Sequence, residues 1–183
     1  MIELDVQELL NGVDLEGTRK RGEIAALQPV RLFYSYAHKD ETLRNELETH
    51  LKILERRKLI APWSDRRIMG GEKWEDRIDE NLERADIILL LVSADFIASN
   101  YCWEKEMMRA LERDAAHEAK VVPVILRDVN WAGAPFAKLQ ALPEGGKAVE
   151  LWDNRDSAWR SVSEEIERVV RQMRAEGRGR RTG

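Results

Sequence analysis

The sequence predicts an α/β fold, a doubly wound five-stranded parallel sheet with helices on both faces. Two observations support this prediction. Short runs of β-branched and other apolar residues alternate with segments whose apolar residues recur every three or four positions, as is typical of parallel strands joined by helices. The run Ile87–Val92 is apolar at every position, as expected for a strand that helices cover on both faces.

The first two predicted strands are each followed by a helix. Val30–Tyr36 is rich in aromatic and β-branched residues, and Asp40 is of the residue type that caps the start of a helix. The second strand is predicted over Leu59–Trp63, and the loop Ser64–Gly71 separates it from its helix. The residues expected on the buried faces of these two helices are Leu43, Leu47, Leu51 and Leu54, then Trp74, Ile78, Leu82 and Ala85.

The third strand, Ile87–Val92, precedes a helix with Trp103, Met107 and Leu111 at core spacing. The fourth strand, Val121–Leu126, contains Pro123. Because proline has no N–H for the ladder, we expect an edge position or an irregularity there.

A long turn-rich connection over residues 128–147 precedes the last predicted elements. Trp131 within it is either a lid over a pocket or an anchor for the connection. Ala148–Trp152 is the fifth predicted strand, and Asp156 is the expected cap of the final helix. The residues expected on the buried face of that helix are Trp159, Val162, Ile166, Val169 and Met173.

Composition bounds the size and the partners of the protein. The chain has 183 residues, 43% of them hydrophobic, which suits one domain with tails. We expect a leader over residues 1–28, partly helical or disordered, a domain over 29–173 and a disordered basic tail over 174–183. Thirty basic and 34 acidic residues give a formal net charge of -4, so we expect no direct nucleic-acid partner.

Cysteine, histidine and signal patterns exclude further classes. The single cysteine, Cys102, excludes an internal disulfide and fits a reducing compartment. The three histidines lack metal-ligand spacing, so we expect no metal. The acidic N-terminus differs from a secretory signal, and no apolar stretch approaches the roughly 18 residues of a membrane span. We therefore expect a cytoplasmic protein without a membrane partner.

The predicted strand order places Glu106 at a ligand site. Five strand and helix units favour the flavodoxin-like order 2-1-3-4-5, in which ligands bind between the first and third strands. Glu106 follows the third strand, and we expect it, rather than the neighbouring Glu104, to face that cleft. The motifs GxGxxG, GxxxxGK[ST] and GxSxG are absent, which disfavours a dinucleotide fold, a P-loop and a serine hydrolase.

An ordered set of segments resembles a Toll/interleukin-1 receptor (TIR) domain of the bacterial kind, from about residue 29 to residue 173. The segments that carry the resemblance are Leu32–Tyr36, Trp63–Asp65, Gly70–Glu72, Leu90–Ser93, Tyr101–Met107, Val121–Ile125 and Trp131. The resemblance implies either assembly alone or cleavage of NAD+ or NADP+ as a substrate, in immune or cell-death signalling, with no resident cofactor. It places the family's catalytic glutamate on Glu106. Enzymatic members often carry an aromatic residue four positions earlier, where this chain has Cys102.

The resemblance also implies a substrate site and a self-association loop. Arg66 and Arg67 would contact the pyrophosphate, although solvated loop charges are the alternative. The other residues expected to bind the substrate are Ser35, Tyr36, Ser64, Asp65, Tyr101, Cys102 and Trp103. Self-association, or docking with another TIR domain, is expected to use Ile68, Met69, Gly70 and Gly71.

Two alternatives to an NAD+ hydrolase stay open at this point. The first is a non-catalytic scaffold that self-associates through the loop Ser64–Gly71. The second is a nucleoside deoxyribosyltransferase, since those enzymes resemble this fold and also use a glutamate near the sugar. Nicotinamide release and base exchange on deoxynucleosides distinguish the three.

Overall fold

The computed structural model describes residues 28–62 and 80–179. The chain divides into two compact units, Pro29–Val170 and a second that combines Met1–Gln28 with Arg171–Gly183. The predicted leader lies outside the described residues except for Gln28. The predicted loop Ser64–Gly71 and most of the helix after it also lie outside them.

A parallel sheet forms the centre of the larger unit. Strands β1 (Leu32–Ser35), β2 (Ile87–Val92) and β3 (Lys120–Ile125) lie in the order β1-β2-β3. Every residue of β2 is buried, which confirms the prediction made from its continuous apolar run. Pro123 lies in β3, the edge strand of this three-stranded sheet, and pairs with Leu90 of β2. An edge strand is where a residue without an N–H is expected.

Single parallel bridges flank the three strands, and among the described residues neither extends into a strand. Ile60 bridges Val30 beside β1, and Leu142 bridges Val124 beside β3. Of the predicted strand at 59–63, the structure describes residues 59–62, and these form a single bridge at Ile60. The predicted strand over Ala148–Trp152 is wrong, because a 3-10 helix occupies Val149–Leu151. Leu142 takes the place beside β3, and Pro143 after it cannot donate to a ladder.

The first predicted helix is confirmed, and Asp40 occupies the predicted N-cap position, although its side chain does not cap the helix. A 3-10 turn at His38–Asp40 leads into helix α1 (Glu41–Arg56). The four leucines predicted to be inward are buried: Leu43, Leu47, Leu51 and Leu54. Asp40 makes no side-chain cap hydrogen bond, because its carboxylate binds residues that follow the other two strands.

Helices on either side of β2 continue the alternation. Helix α2 (Glu80–Arg84) precedes β2, and helix α3 (Ala94–Ala98) follows it. A π-helix then spans Tyr101–Met107 and passes directly into helix α4 (Met108–Ala115). The sequence predicted one α-helix here, whereas the first part of that helix, Tyr101–Met107, is a π-helix.

The long connection after β3 is held by aromatic packing, which resolves the two alternatives for Trp131. The Trp131 ring stacks on that of Phe136, with centroids 6.4 Å apart and an interplanar angle of 19°. Phe136 is fully buried. Gly146 has a φ of +69°, and a Cβ there would lie 2.9 Å from the Trp131 ring, so this close approach requires glycine. Trp131 is an anchor.

The final helix is longer than predicted. Helix α5 spans Arg155–Gly179 and therefore extends past residue 174, the predicted start of the disordered tail. Residues 180–183 lie outside the described part. Asn154, not Asp156, caps the helix, since its side-chain oxygen accepts a hydrogen bond from the Ser157 N–H at 3.1 Å. Within the described residues, no helix combines the length and apolar character that a membrane crossing requires.

Candidate active site

The candidate site lies at the carboxyl edge of the sheet, the end at which the three parallel strands finish. Ser35 is the last residue of β1, and Ser93 follows β2 directly. Arg127 comes two residues after the end of β3. Polar side chains from three elements are thereby brought to one edge, where ligands bind in open α/β sheets.

Ser35 and Glu106 form a buried hydrogen bond at this edge. The Ser35 hydroxyl donates to Glu106 Oε2 at 2.7 Å, across 71 residues of sequence. Ser35 is fully buried, and Glu106 is 4% exposed. A carboxylate this buried costs free energy unless it is hydrogen-bonded, and the Ser35 hydroxyl supplies such a bond.

The π-helix sets the direction of Glu106. Hydrogen bonds in a π-helix join residues five apart, so positions four and five apart become neighbours on one face. The buried residues of this segment, Cys102, Glu106 and Met107, follow that spacing. Glu104 is exposed. Glu106, rather than Glu104, is therefore the carboxylate of this segment that contacts the end of β1.

Cys102 makes a second contact with the end of β1. Its thiol donates to the backbone carbonyl of Tyr36 at 3.4 Å, and the side chain is 4% exposed. Residues one helical turn apart, Cys102 and Glu106, thus contact the consecutive residues Tyr36 and Ser35. The π-helix is fastened to the strand end at two adjacent points.

The aromatic residues near Glu106 contact other parts of the protein. The Trp103 ring meets Phe136 edge to face, with centroids 6.2 Å apart. The Lys105 ammonium lies 5.8 Å from the centre of the Tyr101 ring. The Arg44 guanidinium lies 5.2 Å from the centre of the Tyr36 ring. Cation–π contacts of this length hold both tyrosine rings in place.

A second polar cluster, Asp40, Ser93, Asp95, Arg127 and Lys39, occupies the same edge. The buried Asp40 carboxylate accepts hydrogen bonds from the Ser93 hydroxyl and the Arg127 guanidinium. Arg127 also pairs with Asp95 at 3.0 Å, and Lys39 pairs with Asp95 at 2.8 Å. The hydrogen bond to Asp40 raises the pKa of Arg127 above its ordinary value. This cluster ties together the ends of all three strands.

The comparisons with known proteins agree with this architecture. A family model described as TIR domain matches residues 32–162, which is more than half of the chain. The chain belongs to the TIR domain family. The matched residues include the three strands, the π-helix and both polar clusters, so the candidate site lies within the TIR domain.

One curated relative of the TIR domain is a longer protein. The "Uncharacterized protein y4lF" of Sinorhizobium fredii (strain NBRC 101917 / NGR234) is 49% identical over 135 residues. The alignment covers 74% of this chain and 42% of the relative, so the chain spans less than half of that protein's length.

Of the residues predicted to bind substrate, five lie in the described part of the TIR domain. Four of them, Ser35, Tyr36, Cys102 and Trp103, are engaged with other residues of the protein, and the Tyr101 ring packs with Lys105. Hydrogen bonds join Ser35 to Glu106 and Cys102 to Tyr36. The remaining predicted residues lie outside the described residues: Ser64, Asp65, Arg66, Arg67, Ile68, Met69, Gly70 and Gly71.

Sequence reasoning missed the second polar cluster. Asp40 was predicted only as a helix cap, and Arg127 was assigned no role. Their positions in the sequence could have predicted the cluster. Each follows a predicted parallel strand, and parallel strands end at the same edge of the sheet. Within residues 28–62 and 80–179 no group of three or more histidine, cysteine or acidic residues could hold a metal ion.

Proposed function

We propose that this TIR domain cleaves the bond between nicotinamide and ribose in NAD+ or NADP+, with Glu106 as the catalytic carboxylate. The observation that carries the proposal is the burial of Glu106 against the end of β1, at the ligand-binding edge of the sheet. Membership of the TIR family supports it, because bacterial TIR domains include enzymes of this kind. The setting would be intracellular immune or cell-death signalling.

The reaction suits a site with one carboxylate. The bond between ribose C1′ and the pyridinium nitrogen breaks, and its electron pair stays on nitrogen, so nicotinamide leaves as a neutral molecule. This leaving group needs no proton, unlike the alcohol in an ordinary glycoside. The oxygen of water then bonds to C1′, and the water releases one proton. The products are nicotinamide, ADP-ribose and a proton.

Glu106 would act on the positive charge that develops at C1′. As the bond breaks, the ribose acquires oxocarbenium character, and a fixed negative charge stabilises it most where water is excluded. A carboxylate can also accept hydrogen bonds from the ribose hydroxyls, which orients the sugar. In this proposal Tyr36 and Tyr101 line the approach to Glu106, and Arg66 and Arg67 bind the pyrophosphate.

Nicotinamide release from NAD+ tests the proposal. Wild type is compared with Glu106→Gln, which keeps the size of the side chain and removes its charge, at high protein concentration. The matched control is Glu104→Gln, the same change on an exposed residue of the same helix. We expect a loss of at least about 100-fold in the first variant, in the range of losing an electrostatic stabiliser, and activity within about twofold in the control. Unchanged release in Glu106→Gln would remove Glu106 from the mechanism.

Assembly of this TIR domain is part of the proposal, with Ile68, Met69, Gly70 and Gly71 as the contact between copies. If one copy completes the site of another, the rate per molecule rises with protein concentration. A rate per molecule that stays constant from the lowest to the highest concentration would contradict an assembled site.

A second candidate function, a scaffold without turnover, is favoured by one observation. Cys102 stands where enzymatic members often carry an aromatic residue, and Trp103 beside it packs on Phe136. Both side chains contact other residues of the domain. Assembly of the purified protein with no nicotinamide release at any concentration would select the scaffold.

A further inference from the structure

We propose, resting on the proposed function, that Ser35 is a positioning residue for Glu106 and not a substrate ligand. Its hydroxyl fixes the Glu106 carboxylate in one orientation at the carboxyl edge of the sheet. This differs from the role expected from the sequence, in which Ser35 bonds the ribose or a phosphate.

The hydroxyl group of Ser35 is already committed. A serine hydroxyl has a single proton to donate, and here that proton goes to Glu106 Oε2 at 2.7 Å. The side chain is fully buried, so its partner within the protein is Glu106. A hydroxyl donating to a carboxylate at this length is a strong, charge-assisted hydrogen bond.

The element that carries Ser35 is rigid. Ser35 pairs with Leu90 in the register of β1 and β2, and every residue of β2 is buried. Groups on a packed strand hold a site more accurately than groups on a loop. The strand therefore provides a fixed reference against which the Glu106 side chain is oriented.

The contact between Cys102 and the Tyr36 carbonyl supports the same alignment. It joins the π-helix to the residue after Ser35, one helical turn before Glu106. The backbone of the helix and the side chain of Glu106 are thus each held by the end of β1. A glutamate otherwise has three side-chain torsions to fix, and fixing them before the reaction lowers the barrier.

The effect on catalysis falls on kcat. Loss of the hydroxyl leaves the charge of Glu106 in place but allows the carboxylate to leave the position where charge develops. A displacement of about 1 Å can cost roughly 100-fold in rate. Because Ser35 does not contact the substrate in this account, KM changes little.

The experiment measures kcat and KM for nicotinamide release in three variants. Ser35→Ala removes the donor, and Ser35→Thr retains a hydroxyl. Ser93→Ala is the matched control, since Ser93 is also fully buried, lies directly after the end of β2 as Ser35 lies at the end of β1, and also donates to a buried carboxylate. Thermal melting and circular dichroism establish that each variant is folded.

We expect kcat to fall about 10- to 100-fold in Ser35→Ala, with KM within about threefold. Ser35→Thr should keep kcat within about threefold of wild type, and Ser93→Ala should keep kcat within about twofold. A substrate-binding role would instead raise KM in Ser35→Ala. That result, or an unchanged kcat, would overturn the proposal.

The two proposals fail in distinguishable ways. If Glu106→Gln abolishes release and Ser35→Ala does not, the positioning role is wrong and the catalytic carboxylate stands. If neither change affects release, the proposed function of Glu106 is wrong as well. If Ser93→Ala lowers kcat as much as Ser35→Ala, the loss is a general effect of cavities at this edge, and the specific role of Ser35 is overturned.

Discussion

Two buried serine and carboxylate pairs lie at the same edge of the sheet, and they differ in what surrounds the carboxylate. Ser35 donates to Glu106 on the π-helix, and Ser93 donates to Asp40 before α1. Asp40 also pairs with Arg127, which in turn pairs with Asp95. Ser93 has a further task, because its oxygen accepts a hydrogen bond from the Phe96 N–H at 3.0 Å and so caps α3.

The difference indicates a division between fold and function. The charge of Asp40 is matched by a guanidinium that joins the ends of β1 and β3, so removing it disturbs the sheet. Glu106 belongs to a helix of unusual geometry, and π-helical segments occur frequently at functional sites. We infer that Asp40 stabilises the fold and that Glu106 serves the reaction.

The largest effect on stability is expected from Asp40→Ala. The change removes the acceptor of Ser93 and leaves Arg127 without one of its carboxylates. Breaking a buried ion pair from one side costs about 3–5 kcal/mol, and because Arg127 is 31% exposed and keeps Asp95, we expect about 2–4 kcal/mol. Urea denaturation measures it. Nicotinamide release per folded molecule should stay within about twofold. A large loss of that rate would contradict the assignment of Asp40 to the fold.

A smaller loss of stability is expected from Ser93→Ala. It removes the cap of α3 and one hydrogen bond to Asp40, which together are worth about 1–2 kcal/mol. Ser35→Ala is the natural comparison, since it removes one hydrogen bond and no cap. Denaturation curves in which Ser35→Ala is the less stable of the two would show that the Glu106 pair supports the fold more than the Asp40 pair.

The smallest expected effect is on the pH dependence of stability, through the ion pair of Lys39 and Asp95 in the second polar cluster. The hydrogen bond from Lys39, helped by Arg127, lowers the pKa of Asp95 below its ordinary value of about 3.9. A lowered pKa stabilises the fold above the unfolded value, and this contribution is lost as the pH falls through the folded value. Lys39→Gln should therefore reduce the free energy of unfolding near pH 6, and its curve should converge with wild type as the pH falls through the folded pKa of Asp95.

The control for that measurement is Lys138→Gln, which removes the same charge from an exposed residue. Urea denaturation across the acid range should leave its difference from wild type independent of pH. A Lys39→Gln curve that stays parallel to wild type throughout would contradict the assigned role of Asp95.

Much of the fold could be predicted from local patterns. The continuous apolar run of β2 and the regular spacing of leucines in α1 could each be predicted to lie in the core, because only burial removes these side chains from water. The strand predicted at 148–152 was wrong because so short a segment, of which only Ala148 and Val149 are buried, also suits a 3-10 turn. Leu142 instead pairs with β3 through hydrogen bonds to Pro123 and Ile125, a choice that depends on the finished sheet.

The candidate site was predictable in its position and not in its contacts. Glu106 could be placed because strand order determines where ligands bind. The hydrogen bond from Ser35 and the role of Asp40 depend on partners 71 and 53 residues away, which no local pattern encodes. The π-helix was missed for a different reason. Its hydrogen bonds join residues five apart instead of four, a difference too small to recognise in a pattern of apolar residues.

The most direct test compares Glu106→Gln with Asp40→Asn in two measurements, the free energy of unfolding and nicotinamide release per folded molecule. We predict opposite outcomes for the two variants. Glu106→Gln keeps its stability within about 1 kcal/mol of wild type and loses release, whereas Asp40→Asn loses stability and keeps release. If both variants lost the two properties together, or if Glu106→Gln unfolded the domain while release per folded molecule persisted, the separation of fold and function between these carboxylates would be contradicted.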